Sequence, residues 1–251
     1  MKRADILKYS GGLEDYRDYL SWAIFAAVTL LGEANWREFV FCKFLNCSQI
    51  SFGPSFKGKY HFKTLIKYLN KKSSKRFKYF TISDPVKIGT DTHFISCIVD
   101  SQSKAIFIFN PAIGRRGVSG SIEDPVFTNS EKVVQKFYRE KGYNIIYYPV
   151  SCAPQCTKDD VYCQSWSLIS SIKGFPNILL GKIKPLRIPT KKEGRFNYIL
   201  KFWKSLLNDP DFCKKLQLQY KVLRGGKGVI NPKNPNEACE LLKYSIAKDM
   251  L

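Results

Sequence analysis

Apolar positions recur along the chain at two spacings, and each spacing predicts its own kind of element. Residues 13–31 lack proline and carry good helix formers, so they predict a buried helix. Residues 33–45 predict a second. In 61–70, Phe62, Leu65, Ile66 and Leu69 fall on one helical face at i, i+3, i+4 and i+7, with Lys63 and Lys67 on the other. The spacing then changes. Residues 77–82, 92–100 and 104–110 are rich in aromatic and β-branched side chains and read as strands. The link Asp100-Ser101-Gln102-Ser103-Lys104 is short and polar, so the last two strands form an antiparallel hairpin.

Helical spacing returns afterwards. Residues 113–126 read as a Gly- and Ser-rich loop carrying Arg115 and Arg116. Thr128 and Glu131 have capping-box spacing, Val133, Val134, Phe137 and Tyr138 supply an apolar face, and Gly142 stops the helix. Residues 144–150 predict a strand and 151–162 a loop. A further helix runs from near Asp160, its candidate cap, to about Lys173. Pro185, Pro189 and five basic residues mark 177–194 as a linker or arm. Residues 196–207 look helical, Asp209-Pro210 restarts a helix to about Tyr220, and Asn234-Pro235-Asn236-Glu237 opens the last one.

This order predicts an α+β fold with a central mixed sheet flanked by helices and extra helices at both ends. The expected divisions are an N-terminal helical region (1–75), a core (76–176), a basic linker (177–195), and a C-terminal helical region packed on the core (196–251). The longest apolar run, 20–31, is far short of the roughly 20 residues that a membrane span needs.

With 44% hydrophobic residues in 251, the chain can bury a substantial core, which excludes wholesale disorder. Charge adds a second signal. Lysine and arginine total 41 against 21 acids, a net +20, which favours anionic surroundings such as DNA, an acidic membrane surface or an acidic partner. The densest basic stretch, 57–78, holds nine basic residues and no acid, with Phe77, Tyr79 and Phe80 beside it. Lys71, Lys72, Lys75, Arg76 and Lys78 are its candidate anion contacts. A solvated helix face followed by a lysine-rich loop is the plainer reading. The eight cysteines are spread widely with no secretory start before them, and read as thiols in a reducing compartment.

The sharpest chemical signal is an ordered trio. His93, one of two histidines, opens an apolar strand; Asn110 closes the next; Cys163 lies at the start of an apolar helix. A cysteine attacks as thiolate, and the first turn of a helix favours that charge. With Asp160 as cap, Cys163 would be the third helical residue. A neighbouring imidazole takes the thiol proton, and a third group holds the ring through its other nitrogen. Asn110 follows His93 by 17 positions, and a hairpin returns it beside its origin. An oxyanion needs donors already in place. The backbone N–H of Cys163 is one candidate, and the side chain of Gln155 is the other.

His at a strand start, Asp or Asn ending the next strand, then Gln and a helix-opening Cys resembles the ubiquitin-like-protein-specific and adenovirus-type cysteine proteases over roughly residues 77–174. Tyr162-Cys163-Gln164-Ser165-Trp166-Ser167 is similar to the aromatic-Cys-x-x-Trp-Ser motif of the members carried by large DNA viruses. The resemblance implies a papain-like core with His93 as general base, Asn110 as orienter, Cys163 as nucleophile and Gln155 as oxyanion donor. It implies a thiol peptidase that needs no cofactor or metal and acts on viral structural precursors or ubiquitin-like conjugates, in the virion or the host cytoplasm. The chain departs from cellular members in having Phe94 after the histidine and Tyr162 and Gln164 around the cysteine. Cleavage after Gly-Gly is common in the family, and Leu223-Arg224-Gly225-Gly226-Lys227 looks like a ubiquitin-like tail, though it reads first as a flexible turn.

Two other classes remain open. Cys152, Cys156 and Cys163 with a histidine are a conceivable zinc set, but the spacings lack paired C-x-x-C units. The chain also fits an inactive, protease-like basic virion component that binds nucleic acid or capsid proteins.

Overall fold

The computed structural model describes residues 36–57, 62–85, 92–112, 129–155, 163–207 and 209–211. In chain order the elements are α1 (Trp36–Phe44), β1 (Ile50–Lys57), α2 (Phe62–Asn70), β2 (Phe77–Pro85), β3 (Thr92–Asp100), β4 (Ala105–Phe109), α3 (Asn129–Glu140), β5 (Asn144–Tyr147), α4 (Cys163–Leu179) and α5 (Lys192–Leu207). The chain divides into two units, Phe41–Arg195 and Met1–Val40 with Phe196–Leu251. The helix expected at 13–31, the 113–126 loop, Thr128, Cys156, Asp160, the Gly225-Gly226 segment and the helices expected near the C-terminus lie outside the described residues, apart from a helical start at Pro210 and Asp211.

The sheet is mixed, and its spatial order follows the chain, β1-β2-β3-β4-β5. Strands β1 and β2 pair parallel, as do β4 and β5; the two inner pairings are antiparallel. The fold is therefore α+β, with a central five-stranded mixed sheet flanked by helices. The expected hairpin is present, running from Ser96↔Phe109 to Asp100↔Ala105, and Lys104 takes a left-handed φ of 47° to close it.

Both faces of the central strands are buried, which is why β3 and β4 read as continuous apolar runs. On one face Ile95, Cys97 and Val99 join Phe80, Ile82, Ile106 and Ile108, covered by Leu65 and Leu69 of α2 and Val134 and Tyr138 of α3. Only Leu65 and Leu69 of the predicted α2 face are fully buried; Ile66 is 37% exposed. The other face carries α4. Phe175 packs edge-on to Phe77 at 5.0 Å and Phe41 at 5.7 Å. Burying one such ring contributes about 1.5–3 kcal/mol. Gly174 lets the helix approach, since a Cβ there would stand 2.7 Å from the Phe109 ring.

Four expectations change. β1 was not read from the sequence, because Gly53-Pro54 looks like a turn; the strand absorbs them in a register shift between Phe52 and Ser55. α4 extends to Leu179 rather than Lys173, with Pro176 inside it, and ends where Gly181 takes φ 62° and Lys182 N–H bonds back to Asn177. Much of the expected arm is docked: Leu186 bridges Val150, and Ile188 N–H donates to the Ser151 hydroxyl at 2.9 Å. Cys42 and Cys47 form a disulfide, their Cα atoms brought within 5.4 Å where the chain reverses after α1, so the eight cysteines are not all thiols.

Candidate active site

The hairpin register decides what meets His93. Asn110 follows the last residue of β4, one step beyond the Ser96↔Phe109 pair, so the register carries it to Ile95, two residues along the same face from His93. His93 Nε2 and Asn110 Oδ1 are 2.8 Å apart. The Ala112 backbone N–H donates to the same oxygen at 3.0 Å, while Asn110 Nδ2 donates to Glu131 Oε2 at 3.4 Å. These two bonds fix the amide, because a flipped Asn110 would point N–H at N–H and oxygen at carboxylate. Oδ1 is thus an acceptor, so Nε2 of His93 carries the proton. In the neutral ring Nδ1 then holds the lone pair and is the atom able to act as base. Both residues are buried, at 6% and 4% exposure.

Glu131 is the residue that sequence reasoning missed. It was read as a capping partner of Thr128, yet its carboxylate is fully buried and turned to the site. The Tyr147 hydroxyl donates to Oε1 at 2.5 Å; Gln135, one turn along α3, donates to that phenol at 2.5 Å; Arg139, a further turn on, donates to Gln135 at 3.2 Å. Donors therefore converge on one carboxylate from His93 on one side and from Arg139 on the other. Burial, then the neighbouring carboxylate, hold the Tyr147 phenol far above its ordinary range, so it remains a donor. Burial and Glu131 likewise push the Cys97 thiol up, which leaves it inert. The available sequence signal was Tyr147-Tyr148 in a strand that must satisfy two hydroxyls.

Cys163 is the first residue of described α4, buried, and carries a thiol. Two contacts set the direction of that helix. The Ser96 hydroxyl donates to the Ser167 carbonyl at 2.8 Å, and Phe175 meets Phe77, which pairs with Asp100. Eight helical residues rise about 12 Å, and four strand residues about 13 Å. Helix and strand therefore run the same way, and one turn back from Ser167 puts Cys163 level with Phe94, at the end of the sheet where β3 begins. His93 shares the pleat of Ile95 and Cys97, whereas Ser96 faces α4. Trp166 is fully buried, and the Ser167 carbonyl takes the Ser96 hydroxyl, so the Trp-Ser segment is where the helix is tied to the sheet. Gln155 is buried as well, and its backbone N–H donates to the Pro111 carbonyl at 2.9 Å, one residue past Asn110.

The basic stretch fares differently. Arg76 is spent on Asp100, with Nε to Oδ1 at 3.0 Å and Nη2 to Oδ2 at 2.8 Å. Lys75 Nζ donates to the Ser48 carbonyl at 2.8 Å, and Lys78 bonds the Lys71 carbonyl and sits 5.3 Å over the Tyr68 ring. Lys71 and Lys72 are exposed. Three of the five expected anion contacts are thus bonded within the protein. Among the described residues no group of three His, Cys, Asp or Glu side chains could hold a metal ion, and no helix is long and apolar enough to cross a membrane.

No protein-family model matches the chain, and no curated protein matches it in sequence. Among solved structures, it is similar to the crystal structure of HopZ1a in complex with IP6, at a TM-score of 0.41 and 12% identity over 98% of this chain and 96% of that one. It is similar to the Chlamydia abortus effector protein ChlaDUB at a TM-score of 0.34 and 9% identity, covering 72% of this chain and 69% of that one. A third, the Legionella pneumophila effector protein RavZ, has a TM-score of 0.32 and 10% identity, with 67% of this chain and 54% of that one covered.

Proposed function

We propose that this chain is a papain-like cysteine peptidase in which Cys163 is the nucleophile, His93 the general base, Asn110 the group that holds the imidazole, and Gln155 an oxyanion donor. The observation that carries the reading is the 2.8 Å contact between His93 Nε2 and Asn110 Oδ1, with the amide oriented independently by Ala112. It leaves Nδ1 as the basic atom, as a thiol–imidazole pair requires. The helix start at Cys163 adds backbone N–H groups that favour thiolate.

The reaction is acyl transfer in two halves. Cys163 passes its proton to His93 and attacks the scissile carbonyl, whose oxygen becomes the oxyanion held by the Cys163 N–H and the Gln155 amide. Collapse forms a thioester and breaks the C–N bond, and the leaving amine takes the proton from His93. A water molecule then gives a proton to His93 and attacks the thioester; the acid leaves, and the sulfur regains its proton. Substrates are proteins, either viral structural precursors, with cleavage after Gly-Gly, or ubiquitin-like conjugates, as the resemblance implies.

A Gly-Gly vinyl sulfone tests this directly. It should label Cys163 and spare Cys97 and Cys152, and the Cys163→Ala and His93→Ala variants should lose labelling and peptide cleavage while keeping the wild-type circular dichroism. Labelling at Cys152 would assign the nucleophile elsewhere, and labelling indifferent to His93→Ala would remove His93 as its base.

A further inference from the structure

We propose that Glu131 is a positioning residue that orients Asn110 and supplies, through it, the negative charge facing the His93 base: a relay of His93, Asn110 and Glu131. The inference rests on the peptidase reading above and deepens it.

Asn110 is neutral, so it aligns the imidazole without adding charge. Once the thiol proton reaches His93, the imidazolium needs a counter-charge, which a neutral amide does not give. Glu131 stands one hydrogen bond behind that amide, at 3.4 Å from Nδ2, and is 0% exposed. A carboxylate at such depth persists where donors meet it. Here the Tyr147 hydroxyl meets Oε1 and Asn110 Nδ2 meets Oε2. Each suits the ionised acceptor.

Other titratable groups surround the relay. Cys97 on β3, Tyr147 on β5, Tyr138 on α3 and Tyr68 on α2 are all pushed up, chiefly by burial, Tyr68 to about 12, and so stay neutral. Arg139 on α3 acts on Tyr147 from the far side. Asp84 pairs with His93 in the β2–β3 register, so D84N serves as the control.

The test uses E131Q, N110D, the N110D/E131Q double variant and D84N in the full chain. One readout is the NMR titration of the His93 imidazole in a Cys163→Ala background, with His61 as internal reference. The other is the rate at which the Gly-Gly vinyl sulfone labels Cys163. E131Q should lower the His93 midpoint and slow labelling about tenfold, the effect of roughly one unit of lost charge stabilisation. N110D alone sets two carboxylates side by side, which then share a proton, and it should slow labelling as well. The double variant moves the single charge one position forward and should regain most of the rate; a merely structural role for Glu131 gives no such rescue.

An unchanged His93 midpoint in E131Q, a double variant no faster than N110D, or a midpoint that follows D84N instead would each overturn the relay. Should E131Q alone not fold, the comparison of N110D with the double variant carries the decision. If no variant labels at Cys163 while the midpoint still falls in E131Q, the relay stands and the nucleophile assignment fails.

Discussion

The β3–β4 hairpin has two ends, and each is held by a buried acid, but in opposite ways. At the turn, Asp100 takes two nitrogens of Arg76, Nε and Nη2, with the Ser103 hydroxyl and the Gln102 N–H. The charge there is cancelled on the spot by a cation. At the open end, Glu131 receives the Tyr147 hydroxyl and the Asn110 amide, and that neutral amide separates it from the imidazole. The first arrangement leaves no charge to act on anything else and fastens a reversal of the chain. The second stores negative charge behind a titratable ring, as acid–base chemistry requires. The comparison shows that the number of charges says little until the register says which of them meet.

Asn110→Ala should break the open end with the largest effect. It removes the group that orients His93, and labelling of Cys163 should fall at least about 100-fold, in the range attributed to positioned acid–base groups. It also takes one donor from buried Glu131, which costs about 1–3 kcal/mol in urea unfolding. Wild-type labelling in a folded Asn110→Ala protein would show that Asn110 is not the orienter.

Asp100→Ala is the counterpart at the turn. It strands Arg76 and frees the turn donors, so unfolding stability should drop by about 1.5–3 kcal/mol. Labelling of Cys163 should stay within about twofold, because the whole length of β3 separates Asp100 from His93. A matching collapse of labelling would mean that the two ends are not independent.

How far this contrast could be read before any coordinates depends on the kind of signal. The hairpin was legible because two apolar runs flank five polar residues, and the pairing of His93 with Asn110 follows from strand length alone. The N-terminal position of Cys163 on its helix was legible from the apolar run after it. Glu131 was not, because three residues after Thr128 a glutamate has a sufficient local explanation, and its burial arises only when α3 docks on β5. β1 was hidden by Gly53-Pro54, which a register shift accommodates. The end of α4 was hidden by Gly174-Phe175-Pro176, where the glycine serves close packing on Phe109 rather than termination. The basic stretch drew attention through composition, yet Arg76 is engaged by an acid 24 positions away, which no count of charges reveals.

The smallest expected effect is a pH dependence confined to the turn. Burial pushes the Asp100 carboxyl up, but its bonds to Arg76, Ser103 and the Gln102 N–H outweigh that, and it lies below the ordinary carboxylate range. A group whose folded pKa is depressed stabilises the fold above its unfolded value, about 3.9, and loses that contribution as pH falls through the folded value. The difference in unfolding free energy between wild type and Arg76→Met should therefore be constant near pH 7 and shrink on acidification below about pH 4, by no more than about 1 kcal/mol, since Arg76 is partly exposed. Urea melts at pH 7, 4 and 3 check it. A difference unchanged at pH 3 would mean that Arg76 stabilises the turn through Phe77, 4.6 Å below its guanidinium, rather than through Asp100.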